Sequence, residues 1–325
     1  MALLARRRPL DLRGKVVVIT GGSRGLGLVL ARAFAAEGAR LALLARDPAT
    51  LDRAAAELRA RGAEALPVPC DVRVRAQVED AVRRVVLTFG GLDVLVNNAG
   101  VIQVGPLEHM TVADFEDALA VHVLGPLHTT LAALPHLRAS GAGRVVNVTS
   151  IGGKVAVPHL LPYTASKFGA VGLSDGLRVE LRRHGIRVTT VCPGLMRTGS
   201  ARNALFKGKH RAEHAWFALG AALPLASIDA ERAAAQIVRA CRRGDARLII
   251  TPQAKVAALV NELLPGLVTR ALSLVNRLLP GPAAGRSTEA RTGRESASAL
   301  APSLLTRLAD RAAERNQELL AARQG

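Results

Sequence analysis

Hydrophobic runs and helical patterns alternate along most of this chain, between Lys15 and about Ile250. Seven short runs of β-branched and aliphatic residues predict strands, at Val16–Thr20, Arg40–Ala45, Ala65–Pro69, Val94–Asn97, Arg144–Thr149, Arg187–Cys192 and Arg247–Ile250. The segments between them are rich in Ala, Leu, Arg and Glu and predict helices, for example at Leu26–Glu37, Thr50–Arg61 and Val74–Phe89. This alternation is typical of an α/β fold, in which right-handed crossovers wind helices onto both faces of a parallel sheet.

A further helix start is indicated at Thr111, which has an acid, Asp114, three positions later in a variant of the capping box. We predict that a long helix begins there. Pro126 and Pro135 lie within it and are expected to bend it.

The pattern changes after Ile250. Two apolar helical pieces, at about 253–264 and 266–279, are separated by Pro265 and Gly266 and followed by a Pro-Gly-Pro turn. A Gly/Ser/Arg-rich linker near 283–300 leads to a final amphipathic segment, which carries Leu304, Leu305, Leu308, Leu319 and Leu320. We therefore divide the chain into a main domain at 1–252, an apolar helical appendage at 253–282, and a linker with an amphipathic tail helix at 283–325.

The composition predicts a core of Ala, Leu and Val, because hydrophobic residues make up 49% of the 325 residues and aromatic ones only 2%. The net charge is +18, from 44 basic and 26 acidic side chains. A nucleic-acid role is not indicated, since the basic residues are scattered and few aromatics are present to stack on bases. The excess positive charge favours anionic ligands.

The cysteines and the N-terminus indicate a cytoplasmic protein. Cys70, Cys192 and Cys241 form no CxxC pair and no spacing typical of a metal site. Arg6–Arg8 are followed by Pro9 and charged residues, not by the apolar run of a signal peptide. No uninterrupted apolar stretch of about 18 residues predicts a membrane-spanning helix.

A glycine-rich turn follows the first predicted strand and precedes a helix, with the sequence Thr20-Gly21-Gly22-Ser23-Arg24-Gly25-Leu26-Gly27. Glycines let the backbone approach a pyrophosphate, and the helix N-terminus offers unpaired N–H groups and the positive end of its dipole. The alternative is a glycine turn that serves packing alone.

Six motifs occur in the order found in the short-chain dehydrogenase/reductase family, which the chain resembles over about residues 12–250. They are the glycine turn, Asp71-Val72, Asn97-Asn98-Ala99-Gly100, Ser150, Tyr163-Thr-Ala-Ser-Lys167 and Pro193-Gly194. The resemblance implies a Rossmann-type, doubly wound α/β fold, a nicotinamide dinucleotide, and hydride exchange between a carbonyl and an alcohol. It also implies a homo-oligomer.

Three of these residues support acid–base chemistry by their own properties. Tyr163 and Lys167 are four positions apart in a predicted helix, so both side chains project from one face. We expect the ammonium of Lys167 to lower the pKa of Tyr163, which becomes the proton donor for reduction. Ser150 ends the fifth strand, where its hydroxyl can donate to the substrate oxygen. Taken separately, each is better explained as a core aromatic, a surface lysine or a turn serine, but their joint occurrence in this order favours the catalytic interpretation.

The resemblance implies further cofactor contacts, at Asp71, Val72, Asn98, Ala99, Gly100, Tyr163, Lys167, Pro193, Gly194 and Thr198. Among these, Thr198 would bind the nicotinamide carboxamide, Lys167 the ribose and Asp71 the adenine. An aspartate before a helix is also a common N-cap. The amide of Asn98, like that of Asn97, would either lock adjacent loops or face the cofactor.

The end of the second strand bears on the choice of cofactor, because an acid there accepts from the ribose 2′-hydroxyl whereas an arginine binds a 2′-phosphate. Arg46 lies where the phosphate is expected, and Arg24 in the glycine turn supplies a second cation. We therefore predict NADP(H). Asp47 keeps NAD(H) open as the alternative, unless it only begins the helix at Pro48.

His122 departs from the family's pattern. Many relatives have an asparagine in an N-x-x-G stretch of the helix before the catalytic serine, where it holds a water connected to the lysine; here the stretch is His122-Val123-Leu124-Gly125. An imidazole both donates and accepts hydrogen bonds, so His122 is a candidate for that role or for a proton relay. The alternative is a helix histidine satisfied by a backbone carbonyl.

Two apolar segments bear on the substrate and on the location. The segment from Met196 to about Leu225 would form a lid over the substrate, and its Phe206, Trp216 and Phe217 favour a lipophilic substrate unless they only pack internally. In the appendage, apolar residues of 266–279 repeat at helical spacing opposite Arg270 and Arg277. Such a helix can lie on an anionic membrane, pack on the main domain or contact a second subunit.

We therefore expect an NADP(H)-dependent oxidoreductase that acts on a carbonyl or secondary alcohol. One alternative is a dinucleotide-binding regulator or scaffold without turnover, motivated by His122 and the appendage. The other is a lipid or steroid ketone reductase at the inner membrane surface.

Overall fold

The central sheet of the computed structural model consists of seven parallel strands. They are β1 (Val16–Thr20), β2 (Arg40–Ala45), β3 (Ala65–Pro69), β4 (Val94–Asn97), β5 (Arg144–Val148), β6 (Arg187–Pro193) and β7 (Arg247–Ile250). Their order in the sheet is β7-β6-β5-β4-β1-β2-β3. The seven predicted strands and the Rossmann-type fold are confirmed. The structure describes residues 9–222, 227–283, 285, 288–298, 301 and 306–318.

Eleven α-helices are present among the described residues. They are α1 (Gly25–Ala36), α2 (Pro48–Ala60), α3 (Arg75–Phe89), α4 (Val112–Leu119), α5 (Gly125–Ala139), α6 (Leu161–Leu181), α7 (His210–Ala222), α8 (Ala230–Arg243), α9 (Pro252–Leu263), α10 (Pro265–Leu278) and α11 (Arg307–Arg315). One core cluster packs α1, α2 and α8 on the sheet, and a second packs α3, α5 and α6 on the opposite face. In β1, Val17 and Ile19 belong to the first cluster and Val16 and Val18 to the second, because alternate side chains of a strand point to opposite faces.

The predicted long helix spans Val112–Ala139 and begins at the predicted capping box of Thr111 and Asp114. It is interrupted by a π-helical turn at Ala120–Leu124, directly before α5. Pro126 at the start of α5 has no N–H to donate to the carbonyl of His122, so the regular hydrogen bond is missing at this point. The turn places His122 in the interior.

The appendage projects from the main domain. α9 buries Ala254 and Ala258, and the Asn261 amide donates to the Lys154 carbonyl at 2.9 Å. α10 has no buried residue, and it meets α9 at a bend of 120°. Packing of α10 on the main domain is therefore not observed.

Several short elements lie above the carboxyl edge of the sheet. The strands Leu195–Arg197 and Ser227–Asp229 pair with each other, and Leu205–Phe206 pairs with Gln103–Val104 and Arg291–Thr292. The predicted lid is described up to residue 222 and again from residue 227. Of the leucines predicted for the tail, Leu308 lies on α11 and is half exposed, whereas Leu304, Leu305, Leu319 and Leu320 lie outside the described residues.

Among the described residues, Val112–Ala139 is the only single helical segment long and apolar enough to cross a membrane. Its α5 part packs against α3 and β4. The helices α9 and α10 meet the same criterion only when they are taken together, across their bend.

Candidate active site

The glycine turn is held against the end of β4. The Thr20 hydroxyl accepts from the backbone N–H groups of Asn98 and Ala99, at 2.9 and 3.0 Å. The Asn98 side chain donates back to the Thr20 carbonyl at 3.1 Å. A side chain at Gly27 would overlap the Gly21 carbonyl and the Asn98 amide, so only glycine fits there. Asn98 thus makes the contacts that lock adjacent loops, and its contact with a cofactor stays a prediction.

The N-terminus of α1 faces acceptor oxygens of the chain itself. The Gly25 N–H donates to the Asn316 carbonyl at 2.9 Å, and the Glu318 carboxyl lies against Gly25. Arg24 donates to the Asn203 side chain at 3.2 Å and lies 3.9 Å from the Glu318 carboxyl. Oxygen atoms of the chain thus lie at the positive end of the helix dipole, at the place where the sequence predicts a pyrophosphate. The neighbouring Ser23 and Leu26 are buried.

Ser150, Tyr163 and Lys167 are brought together above the carboxyl end of β5. Ser150 begins a 3₁₀ turn at Ile151–Gly153, where its hydroxyl accepts from the Gly152 N–H at 3.0 Å. The Ser150 hydroxyl and the Tyr163 ring lie side by side, because a side chain added at Gly152 would meet both of them. Both Tyr163 and Lys167 lie on α6, with the Lys167 ammonium 5.5 Å from the centre of the Tyr163 ring. This ammonium donates to the Val148 carbonyl at 3.3 Å.

The acid–base properties of the site differ from the sequence-based expectation. The pKa of Tyr163 is raised above its usual 10.0, because burial outweighs the stabilising hydrogen bond from Ser150. The prediction that Lys167 lowers this pKa is therefore wrong for this structure. Burial also lowers the pKa of Lys167 from 10.5 to about 8. Tyr163 is a protonated phenol at neutral pH, which is the form that donates a proton.

His122 is buried beside this group, and both of its ring nitrogens are hydrogen-bonded. Nε2 accepts from the Val101 N–H at 3.1 Å, so the proton is assigned to Nδ1, which lies 2.8 Å from the Ser166 hydroxyl. Ser166 in turn donates to the Tyr163 carbonyl at 2.9 Å. Burial, with the nearby Lys167, keeps the pKa of His122 well below 6.5. The ring is satisfied by a backbone amide rather than the expected carbonyl, and it packs edge-on to Tyr163 at 5.5 Å.

A buried network of amides and hydroxyls supports the sheet under the site. Asn97 donates to Asn147 at 2.9 Å and accepts from Thr129 at 2.6 Å. Asn147 continues to Ser174 at 2.9 Å, and Ser174 to Thr190 at 2.8 Å. Asn97 therefore locks neighbouring elements. Asn147, Ser174 and Ser166 were not predicted from the sequence, although Asn147 interrupts an apolar strand and Ser166 lies inside the Tyr163–Lys167 motif.

The ends of β2 and β3 carry the residues predicted to select the cofactor. Arg46 is exposed directly after β2 and lowers the pKa of Asp71, although Arg73 has the larger effect. Asp71 forms an ion pair with Arg73 at 2.6 Å and accepts from its backbone N–H at 3.0 Å. Asp47 is the N-cap of α2 and accepts from the Ala49 N–H at 3.0 Å. The alternative helix-start role of Asp47 is therefore observed, whereas Asp71 stabilises the turn before α3.

The nicotinamide side of the predicted cofactor site lies at the end of β6. Pro193 ends that strand, and an added side chain at Gly194 would press on the Thr251 hydroxyl. Thr198 is buried, and its hydroxyl accepts from the Ser200 N–H at 3.3 Å. Two other predicted cofactor residues lie near the π-helical turn. Val72 is buried against Gly125, and Gly100 lies next to the His122 ring.

An apolar cluster covers Tyr163 on the lid side. Its members come from the lid, from the loops after β4 and β5, and from α6, namely Ile102, Val104, Val157, Leu160, Tyr163, Ala204, Phe206, Trp216 and Phe217. The Trp216 and Phe217 rings are 5.8 Å apart, and Phe206 lies 5.9 Å from Phe217.

Two polar contacts hold the lid in place. Glu213 is fully buried, and it accepts from Trp216 at 2.7 Å and contacts His159 at 2.9 Å. Lys207 forms a buried ion pair with Asp114 at 2.6 Å. The lid aromatics thus pack internally and also form the wall beside the phenol.

Known proteins are similar to this chain in sequence and in fold. Residues 15–207 match the family described as short chain dehydrogenase. The ketoacyl reductase HetN of Nostoc sp. is 36% identical over 183 residues, which cover 56% of this chain and 64% of that protein. A putative ketoacyl reductase of Streptomyces coelicolor is 39% identical over 189 residues, covering 58% of this chain and 72% of that protein.

Two solved structures are also similar. A short-chain type dehydrogenase/reductase from Mycobacterium marinum matches with a TM-score of 0.67 and 28% identity, over 75% of this chain and 96% of that one. L-sorbose reductase from Gluconobacter frateurii, in complex with NADPH and L-sorbose, matches with a TM-score of 0.67 and 28% identity, over 74% of this chain and 97% of that one.

Proposed function

Because the chain belongs to the short-chain dehydrogenase/reductase family, we propose that it is an NADP(H)-dependent oxidoreductase that acts on a carbonyl or secondary alcohol of a lipophilic substrate. The observation that carries this proposal is the grouping of Ser150, Tyr163 and Lys167 beneath the apolar cluster of the lid. The bound dinucleotide would supply or accept the hydride.

The proton chemistry would belong to the chain's own residues. The protonated Tyr163 phenol donates its proton to the carbonyl oxygen of the substrate during reduction. The Ser150 hydroxyl, which contacts that phenol, donates a hydrogen bond to the same oxygen as negative charge develops on it. Lys167 would hold the cofactor ribose. The reverse oxidation would use the same groups.

NADP(H) is favoured by the different roles of Arg46 and Asp47. Asp47 caps α2, whereas Arg46 is exposed at the end of β2, where the 2′-phosphate is expected. The similar L-sorbose reductase was solved with NADPH. Arg24 and the backbone of Gly21–Gly27 would contact the pyrophosphate, while Asp71 and Thr198 would contact the two ends of the cofactor.

A comparison of kcat/KM for NADPH and NADH tests this choice. We expect NADPH to be preferred, and Arg46→Ala to lower kcat/KM for NADPH more than for NADH. Arg53→Ala, which changes an exposed arginine of α2, is the control and should leave the ratio unchanged. A wild-type preference for NADH would contradict the assignment.

The substrate proposal rests on the apolar wall beside Tyr163 and on the ketoacyl reductases among the relatives. We expect kcat/KM to rise along a series of ketones and β-ketoacyl esters of increasing chain length, as followed by loss of NADPH absorbance. Phe217→Ala should reduce kcat/KM for the long members more than for the short ones. Preference for small polar ketones would contradict this, and cofactor binding without turnover on the whole panel would favour a non-catalytic regulator.

A cytoplasmic enzyme with peripheral contact to the inner membrane surface is the second candidate, and the exposure of α10 favours it. Leu264, Leu267, Leu274 and Leu278 are all more than half exposed and lie on one side of this region. The basic residues Arg270 and Arg277 lie beside the edge of the apolar stripe. A helix of this kind binds anionic lipid surfaces.

Vesicle flotation tests this candidate with the full-length protein. Replacing Leu267, Leu274 and Leu278 with serine should abolish flotation with vesicles containing anionic lipid. A control variant with Thr269 and Ser273 changed to alanine, on the polar side, should still float. Equal flotation of both variants would contradict the membrane proposal. The remaining explanation for the exposed leucines would be contact with a second subunit. Sedimentation of the same variants would then show a change in oligomeric state.

A further inference from the structure

The turn after α11 lies on the start of α1, where the cofactor pyrophosphate is expected. The Gly25 N–H, one of the unpaired donors of this helix end, is used by the Asn316 carbonyl at 2.9 Å. The Glu318 side chain is almost fully buried directly over Gly25, so closely that an added Cβ there would overlap its carboxyl group.

The residues around Glu318 would otherwise be available to an anion. Arg24 of the glycine turn lies 3.9 Å from the Glu318 carboxyl, which also accepts a hydrogen bond from the Asn203 amide. Arg294 donates to the Glu318 backbone carbonyl. The end of the tail thus places a carboxyl group and two carbonyl groups among donors suited to phosphate.

Contacts on both sides of the glycine turn hold the tail in this position. On one side, Arg32 of α1 donates to the Asn316 side chain at 3.1 Å and to the Arg315 carbonyl at 2.8 Å. The Gln317 amide donates to Glu57 of α2 at 2.9 Å. On the other side, Arg202 pairs with Asp310 at 2.6 Å.

Ala313 completes the docking against the segment after Thr198. It is fully buried, and it packs so closely on Gly199 that an added Cβ on Gly199 would overlap it. There is therefore no room for a larger side chain on either residue while the tail stays docked.

We propose that residues 316–318 occupy the pyrophosphate position of the glycine turn, so that the C-terminal tail competes with the dinucleotide. A pyrophosphate and the Asn316 carbonyl need the same N–H group of Gly25, and a pyrophosphate and Glu318 need the same volume beside Arg24. The tail must leave before the cofactor binds. The apparent affinity for the cofactor then equals the intrinsic affinity multiplied by the fraction of molecules with the tail released, so it rises as that fraction rises. This inference rests on the proposed cofactor site but holds for NADPH and NADH alike.

Ala313→Leu in the full-length chain tests the competition, because the larger side chain cannot fit against Gly199 and should release the tail. We expect the Kd of NADPH, measured from its fluorescence, to fall by about tenfold or more. Glu318→Ala, which removes the carboxyl from the site without adding volume, should also lower Kd. Glu314→Ala, on the exposed side of the same helix, is the matched control and should leave Kd unchanged.

Trypsin cleavage of the wild-type tail gives an independent readout. Arg307, Arg311 and Arg315 provide cleavage sites in the docked segment. Saturating NADPH should accelerate cleavage at these sites if it displaces the tail. Slower cleavage would mean that the tail closes over the bound cofactor, and it would overturn the proposal.

The binding outcomes separate this proposal from the proposed function. Equal or weaker NADPH binding by both Ala313→Leu and Glu318→Ala, relative to the wild type, would contradict the competition alone. A tighter Kd only for NADH would contradict the choice of NADP(H) and support the competition. Binding of neither dinucleotide to any variant would contradict both.

Discussion

Tyr163 is the single tyrosine of the chain, so its ionisation can be followed without interference from another phenol. Burial raises its pKa above 10.0. We expect the ultraviolet absorbance of tyrosinate to develop only above that pH in the folded protein. Tyr163→Phe provides the blank, and circular dichroism at each pH confirms that the fold is intact. A midpoint clearly below 10.0 would contradict the raised pKa.

Removing the phenol also tests its catalytic role. Tyr163→Phe should lower kcat by about 10²- to 10⁴-fold, because a positioned general acid contributes that much. The Kd of NADPH should stay within about twofold, since the lost hydroxyl is expected to serve proton transfer. Retention of wild-type kcat would exclude Tyr163 as the proton donor.

His122 has the geometry of a positioning residue. Its ring joins Val101 to Ser166, and Ser166 contacts the backbone of Tyr163. His122→Leu leaves the Val101 N–H without its partner, which should cost about 1–3 kcal/mol of the free energy of unfolding. His122→Asn keeps an amide near the position of Nδ1 that can donate to Ser166, and should recover part of kcat.

The pH profile distinguishes this positioning role from a proton relay. Since the pKa of His122 lies well below 6.5, its protonation should not shape kcat between pH 6.5 and 8. The His122→Asn profile should therefore match that of the wild type in this range. If the kcat profile of the wild type showed an inflection between pH 6.5 and 8 that His122→Asn lacked, the result would support the proton relay.

At the scale of elements, docking of the tail should depend on pH through Glu318. Burial raises the pKa of this carboxyl from 4.5 to about 7, although Arg24, Asn203 and Arg294 act in the opposite direction. Between about pH 4.5 and 7, Glu318 is therefore protonated in the docked tail and ionised in the released tail. Docking is strongest below this window, weakens as the pH rises through it, and is constant above it.

The affinity for the dinucleotide should change in the opposite sense. We expect the Kd of NADPH to fall as the pH rises from 5 to 7.5. Glu318→Gln, which stays neutral throughout, should lose most of that change and keep the weak affinity of the low-pH wild type. Glu314→Gln is the control and should follow the wild type. An identical pH dependence in Glu318→Gln and in the wild type would show that Glu318 does not set the docking equilibrium.

The elements themselves were largely predictable. Parallel strands covered on both faces are continuous apolar runs, and β1 with its five buried residues is an example. The capping box at Thr111 was predictable because both partners are close in sequence. The π turn at Ala120–Leu124 was not predicted as such: Pro126 indicated a bend, but the burial of His122 and its hydrogen bonds with Val101 and Ser166 are visible only in the folded chain.

At the scale of the whole molecule, the net charge of +18 should strengthen binding of the more highly charged cofactor. Screening shortens the reach of such charges from about 30 Å at 0.01 M salt to about 3 Å at 1 M. We expect the Kd of NADPH to rise with salt, and more steeply than that of NADH. Parallel salt dependences would indicate that Arg46 and the overall charge do not act on a 2′-phosphate.

The sequence by itself determined the order of strands and helices, the glycine turn and the Ser150, Tyr163 and Lys167 group. These features depend on local hydrophobic patterns and on motifs whose residues lie close together in the chain. Only the tertiary structure decided how the sole tyrosine ionises, because its pKa depends on burial, which spacing to Lys167 does not reveal.

The tertiary structure also decided what covers the cofactor turn. Gly25 and Asn316 are far apart in the sequence and come together through the packing of α11 on α1 and on the lid. Neither the amphipathic pattern of the tail nor the glycine motif contains that information, since each is compatible with many partners. The contacts of buried Ala313 with Gly199 and of buried Glu318 with Gly25 make the glycine turn and the lid the partners of the tail.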